Sequence, residues 1–336
     1  MSFYKRFTLI FFLYPVICNS QTSTSNKKNF YCFELSIVND NDVYTLQPRD
    51  GYYTNGLYLK FSYATNKFKA DSSKQRRIKK IINGVVIGQA IYNPMRPWYI
   101  LPAEQDMPYS AYLSFSFDKH IYYADNNILE LAISIGTIGP NAFGEEVQRG
   151  YHKLIGLYDV VGWDTQLKSE LNLNMKASFI KSIINANKAN SCFNVDGFVN
   201  TELGNAHTNV SFGTVFRAGR IENNWNSSHW RARITTANSE APIHPYELYV
   251  FYQPSLTIKF YDATIQGGLF TKDKGPLTKD IKRVVLANQL GIRFAKNRWT
   301  TAFIYVRRSK NGKTQIRAEN YGSIQFSYRF KQLTKK

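Results

Sequence analysis

Long apolar runs are missing from this chain. Beyond its N-terminal stretch, none of the 336 residues belongs to a run near the roughly 18 apolar residues that a membrane-spanning helix needs, which excludes a polytopic helical membrane protein. Cysteine is scarce: Cys18, Cys32 and Cys192 are too few for a disulfide framework and are not spaced as a zinc site. Cys32 and Cys192 can form one bridge in an oxidising compartment or stay as two small packing residues. With only 11 Pro and 20 Gly, the composition is neither collagen-like nor that of a disordered chain. Acidic residues are outnumbered, 24 Asp+Glu against 43 Lys+Arg, giving a formal net charge of +19.

What the chain does have is aromatic residues, at 15%, and an export signal. Lys5 and Arg6 precede an apolar stretch from Phe7 to Cys18, and small and polar residues follow. That is the layout of a secretory signal peptide over residues 1–20, leaving residues 21–336 as the mature protein. Nucleic acid is the usual partner of so basic a chain, and an exported protein does not meet it.

From about residue 30 the hydrophobic pattern has period two. Tyr31, Phe33, Leu35 and Ile37 alternate with Cys32, Glu34, Ser36 and Val38, and the pattern recurs around 57–63, 129–136, 171–176, 210–216, 256–261 and 299–305. A final strand sets Phe326, Tyr328 and Phe330 on one face close to the C-terminus. Many strands carry aliphatic and aromatic residues on one face and Glu, Lys, Asn or Ser on the other, which suits a lipid-facing outside and a polar interior. About 310 mature residues at about 25 per strand and connection predict an all-β, transmembrane antiparallel β-barrel of about 12 strands.

Two segments interrupt the rhythm. Residues 67–80 hold seven basic residues and one acid and are expected to be a solvated connection. Residues 139–165 begin with Gly and Pro and continue into a helix-like piece around Glu145 to Leu154. A connection that long is usually functional. Within it Gln148 and His152 are four residues apart, on one helical face. After the first strand, Asn39, Asp40, Asn41 and Asp42 form a run of short oxygen-bearing side chains, suited either to a hard cation such as calcium or to an ordinary polar turn. If the N-terminus starts on the periplasmic side, Asn39, Asp40, Thr54 and the helical insertion all reach the outer rim.

These residues resemble the outer-membrane lipid A 3′-O-deacylases. The resemblance rests on Val38-Asn39-Asp40, on Tyr53-Thr54-Asn55-Gly56-Leu57, on the stretch from Asp106 to Leu113, and above all on the stretch from Gly139 to His152, followed by Ile155-Gly156 and Gly162-Trp163. The second half of the chain is similar only as a barrel. The resemblance implies a calcium-dependent ester hydrolase in the outer membrane of a Gram-negative bacterium, removing the 3′-linked acyl or acyloxyacyl chain from lipid A of lipopolysaccharide. His152 would be the general base activating water and Gln148 its orienting partner. Asn39 and Thr54 would help form the active site, and Asp40 would belong to the calcium region. Six residues after the motif His the family can carry a Glu; here Tyr158 stands there, and the adjacent Asp159 becomes the candidate second carboxylate. Two rivals remain: a barrel without catalysis, such as a channel, and an outer-membrane esterase of the phospholipase A type.

Overall fold

A computed structural model describes residues 31–45, 51–65, 78–185, 191–236, 239 and 242–331. The expected signal peptide lies outside the described residues. Twelve antiparallel strands run in chain order: β1 (Phe33–Asn41), β2 (Tyr52–Ala64), β3 (Ile78–Asn93), β4 (Ser110–Tyr123), β5 (Ile128–Ile138), β6 (Glu170–Ile184), β7 (Phe193–Gly204), β8 (His207–Arg220), β9 (Tyr246–Asp262), β10 (Val284–Lys296), β11 (Trp299–Arg308) and β12 (Glu319–Phe330). Each pairs with its chain neighbours, and β1 closes on β12 from Phe33↔Phe330 to Asn41↔Gly322. The result is the expected closed barrel. Among the described residues no helix is long and apolar enough to cross a membrane.

Alternation decides which face each residue takes. In β1, Leu35 and Ile37 are exposed on the outside, while Glu34, Ser36, Val38 and Asp40 are buried within the barrel. In β12, Ile324 and Phe326 face out, and the interleaved Ser323 and Arg329 are buried. The exposed aliphatic and aromatic residues of all twelve strands form the lipid-facing belt of an outer-membrane protein. Phe33 stacks on Phe61 and Phe330 with ring centroids 5.8 and 5.4 Å apart, an aromatic cluster where the first and last strands join.

The structure redraws some boundaries. β3 starts at Ile78, so Lys79 and Lys80 belong to a strand and not to the solvated connection; residues 67–77 of that connection lie outside the described residues. Lys80 is buried because its ammonium has partners inside the barrel. Cys32 and Cys192 are both free.

The barrel interior is filled from the end where the chain enters β1, here the lower rim. The connection between β8 and β9 turns up into the lumen and is held by charged anchors on the wall. Lys80 Nζ donates to the carbonyl of Ala232 (2.6 Å) and to Asn226 (3.1 Å), and Arg231 pairs with Asp118 at 3.1 Å. Glu247 accepts from the Ser227 hydroxyl and the Ser228 amide, at 3.1 and 2.8 Å. Arg217, fully buried, donates to Asn194 and Ser227 and pairs with Asp196 at 3.1 Å. Arg217 and Arg231 are thus paired with carboxylates and the Lys80 ammonium is hydrogen-bonded to neutral oxygens, the kinds of partner that let ions persist away from water.

Replacing Arg217 with Met leaves the Asp196 carboxylate buried without its cation, a loss of about 3–5 kcal/mol. The folded, SDS-resistant form should then disappear at a clearly lower temperature than in the wild type, whereas Arg220→Met, at an exposed position, should leave that temperature unchanged. Equal melting of wild type and Arg217→Met would contradict this account of the plug.

Candidate active site

The other end of the barrel, the helical rim, carries the connection from β5 to β6. Gly139, at φ 75°, turns the chain out of β5, and a Cβ there would lie 2.5 Å from the Leu167 carbonyl. A 3₁₀ turn (Pro140–Ala142) follows, then helix α1 (Gly144–Ile155), which ends on Gly156 at φ 70°, the left-handed residue that commonly stops a helix. The helix observed matches the piece expected around Glu145 to Leu154. It docks on the outside of the wall over β3 and β4. Ile91, Tyr109, Ala111, Ala142, Val160 and Trp163 form one buried cluster beneath it, and Gln89 of β3 donates to the Ala142 carbonyl at 2.6 Å. Gly144 makes this approach possible: a side chain there would overlap Ala111 and the Trp163 ring.

Gln148 and His152 point from α1 into this packed layer and are nearly fully buried. The Trp163 indole N–H donates to Gln148 Oε1 at 2.9 Å. Because indole can only donate, the contact also fixes which way the amide points. Gln148 Nε2, buried, is left without a hydrogen-bond partner. His152 Nδ1 lies 2.8 Å from the Tyr158 carbonyl, and its ring meets the Tyr158 ring edge-on at 5.0 Å. A carbonyl accepts only, so the proton sits on Nδ1 and the basic lone pair on Nε2.

Along β1 the expected site residues divide between the two faces of the wall. Asn39 shares the outward parity of Leu35 and Ile37; its amide donates to the Gly56 carbonyl (3.1 Å) and accepts from the Tyr44 hydroxyl (2.6 Å). Asp40 faces the lumen, where it accepts from Tyr53 at 2.8 Å and lines an internal cavity of about 300 Å³. Thr54 is the extra residue of a β-bulge against β3, and it donates to Asp42 at 3.2 Å. Asp42 also accepts from the Gly51 amide at 3.1 Å. It begins a 3₁₀ turn (Asp42–Thr45) that brings Tyr44 against Gly322 of β12. Burial pushes the Tyr44 phenol above its usual range, and the neighbouring Tyr151 of α1 and Asp40 push it further, so it stays a hydrogen-bond donor.

The structure thus brings Gln148 and His152 together on α1, and Thr54 and Asp42 together on the β1–β2 rim, where Asn39 is tied to Tyr44 of the same turn. Tyr151 of α1 lies near Tyr44 of the β1–β2 turn. Asp40 and Asp159 do not meet: one is inside the barrel and the other exposed on the loop after α1. Among the described residues no three His, Cys, Asp or Glu side chains converge as a metal site. The hard oxygen donors that share a rim are the Asp42 carboxylate, the Thr54 hydroxyl and the Asn39 amide, a set that suits calcium with water completing the shell. Asp42, Tyr44 and Trp163 were not singled out from sequence as individual site residues. Asp42 was signalled only as part of the polar run at residues 39–42 and Trp163 only as part of the Gly162-Trp163 pair; Tyr44 carried no signal.

The model of the family described as "Outer membrane protein LpxR" matches residues 7–330. By fold the chain is similar to LpxR from Salmonella typhimurium, with a TM-score of 0.67 and 21% identity over 88% of this chain and all of that one. The translocator domain of the autotransporter NalP from Neisseria meningitidis (11% identity, 90% of each chain) and the beta domain of the Bordetella autotransporter BrkA (10% identity, 90% of this chain and 99% of that one) each align with a TM-score of 0.46. No curated protein matches by sequence. With the motifs, the twelve-stranded barrel and a family match over nearly its whole length, this chain belongs to the LpxR family of outer-membrane proteins.

Proposed function

We propose that this protein is an ester hydrolase that removes the 3′-linked acyl or acyloxyacyl chain from lipid A in the outer leaflet, the helical rim being the outward-facing one. The observation that carries the reading is the pair on α1: a histidine whose Nδ1 is held by a carbonyl, one helical turn from a buried glutamine whose N–H₂ has no partner in the protein. In this reading His152 Nε2 takes the proton from a water attacking the ester carbonyl, then returns it to the departing alkoxide. The Gln148 amide, aimed by Trp163, donates to the oxygen on which negative charge develops. Calcium held by Asp42, Thr54 and Asn39 would supply Lewis-acid polarisation of that carbonyl. The metal reading thereby moves from Asp40 and Asp159 to Asp42.

The surroundings favour a lipid substrate. Phe143, Val147, Tyr151 and Leu154 form an exposed stripe along α1, Leu154 being 82% exposed, and below Asn39 the outward wall continues into the exposed aliphatic residues Ile37, Leu57 and Leu59. An acyl chain lying on that wall places its ester at the level of the polar groups. The interior argues against the channel reading, since the β8–β9 connection occupies the lumen and is anchored by buried ion pairs. The choice of lipid A over glycerophospholipid rests on the family resemblance.

Mass spectrometry of lipid A, after expression in an outer-membrane host, should show loss of the 3′ chain with the wild type. Rates on purified enzyme should fall about 10²–10⁴-fold for His152→Gln and about 10²-fold for Gln148→Glu. Unchanged lipid A mass with folded wild type would sink the proposal, and acyl loss from phospholipid instead would transfer it to the second rival. Chelation should abolish activity and added calcium restore it, and Asp42→Asn should cost more than Asp40→Asn; the reverse order would return the metal reading to Asp40. In planar bilayers the wild type should show no stepwise conductance, and open steps would revive the channel.

A further inference from the structure

The helical rim carries a concentration of positive charge that the catalytic reading does not use. The β9–β10 connection, residues 263–283, has five cations against two carboxylates, and the β11–β12 connection, residues 309–318, has three cations and no carboxylate. Lys272, Lys282, Arg283 and Lys310 are exposed. Lys313 is exposed too, but it is already paired with Asp280 at 2.9 Å.

These two connections are held in place. Ile281 bridges Gly312, the Lys282 amide donates to the Asn311 carbonyl at 2.7 Å, and the Lys313 amide donates to the Asp280 carbonyl at 2.8 Å. On one side, Glu170 at the start of β6 accepts from the amides of Leu269, Phe270 and Thr271 at 2.7–2.9 Å, and the Lys168 amide donates to the Lys274 carbonyl at 3.2 Å. On the other side, Tyr52 at the start of β2 accepts from the Ile316 amide (2.8 Å) and donates to Asp106 (2.6 Å), while Thr314 donates to the Asp106 carbonyl at 2.6 Å. The basic surface is thus one fixed platform, tied both to the connection that carries α1 and to the β1–β2 rim that carries Asn39 and Thr54. Cations fixed in advance lose little freedom on binding, so more of their attraction to an anion is realised.

We infer that this platform is a docking surface for the phosphate groups of an anionic glycolipid headgroup, which it holds while the acyl chains lie against the wall beside α1. The inference rests on the lipid A reading and names the part of the substrate that the platform would grip. Lys and Arg at an exposed rim pair readily with phosphate oxygens, Arg through two N–H groups at once. The headgroup of an outer-leaflet lipid lies at the height of the rim, and free phosphate lacks the acyl chains that would add the wall to the contact.

The test uses the full-length His152→Gln chain in detergent micelles, so that binding is read without turnover. It is titrated with phosphorylated lipid A, with the same lipid after phosphatase treatment, and with inorganic phosphate. The substitutions Lys282→Ala, Arg283→Ala and Lys310→Ala, combined, should weaken binding of phosphorylated lipid A about tenfold, or about 1.4 kcal/mol, and leave the dephosphorylated lipid unaffected. The difference should shrink at high salt, because exposed charges are screened within about 10 Å at 0.1 M. Replacing the same three positions by the other basic residue should preserve binding. Equal affinity for the two lipids, or no loss in the triple variant, would overturn the inference, as would binding of inorganic phosphate as tight as that of the lipid. Binding of phosphorylated lipid A by a wild type that fails to hydrolyse it would sink the esterase reading and leave this one standing.

Discussion

Everything in this molecule depends on closing the sheet. In hydrocarbon no water satisfies a backbone N–H or C=O, so every strand needs two neighbours, and the pairing of β1 with β12 removes the last two open edges. Once the sheet is closed, the period-two pleat leaves each residue two choices, lumen or lipid. Glu34 and Arg329 are adjacent inside, 2.7 Å apart and buried, while Leu35 and Tyr328 of the same strand pair turn outward. The soluble-looking composition follows from this division.

Closure also explains why the proposed catalytic pair sits on a helix. Outward positions along the wall face acyl chains and must be apolar, and inward positions are sealed from lipid. A polar group that is to meet a lipid ester therefore has to be supplied at the rim, from outside the wall. Helix α1 does this: Gly144 and Gly162 let it and the loop after it press against Ala111, Tyr109 and Trp163, so that Gln148 and His152 are held between helix and wall. The bulge at Thr54 serves the same end on the wall itself, since an extra residue breaks the strict alternation where β2 begins.

The sequence made much of this legible. Period two announced the strands whose inward residues are short or charged, as in β1, β5, β6 and β12, and the Gly-Pro turn with Gln148 and His152 announced the insertion. β3, β4, β7 and β10 went unmarked. In β3 and β7 residues such as Gly84, Gly88 and Asp196 dilute the alternation, because the lumen there must accommodate neighbouring side chains and the plug. The polar run from Asn39 to Asp42 showed a rim but not its faces. A one-residue step decides that Asn39 looks outward and Asp40 inward, and the 3₁₀ turn then carries Asp42 to Thr54. The plug was illegible for a different reason: residues 221–236 are polar and without period, and only the partners Lys80, Arg217 and Glu247, remote in sequence, make them an interior.

The two halves of the barrel's design divide the labour between stability and access. The lumen carries its charges in pairs, such as Arg217 with Asp196 and Arg329 with Glu34, which fix wall and plug but are out of reach of anything in the leaflet. The outside carries almost no charge along the wall and concentrates polar groups at one end, on α1, on the β1–β2 rim and on the basic connections above them. A molecule able to use all three must span from hydrocarbon to headgroup and carry negative charge at its polar end. Soluble esters meet only the polar part, and neutral lipids leave the cations unpaired. The spatial order of apolar wall, polar rim and basic platform fits the substrate proposed above, an acylated, anionic lipid presented from the side.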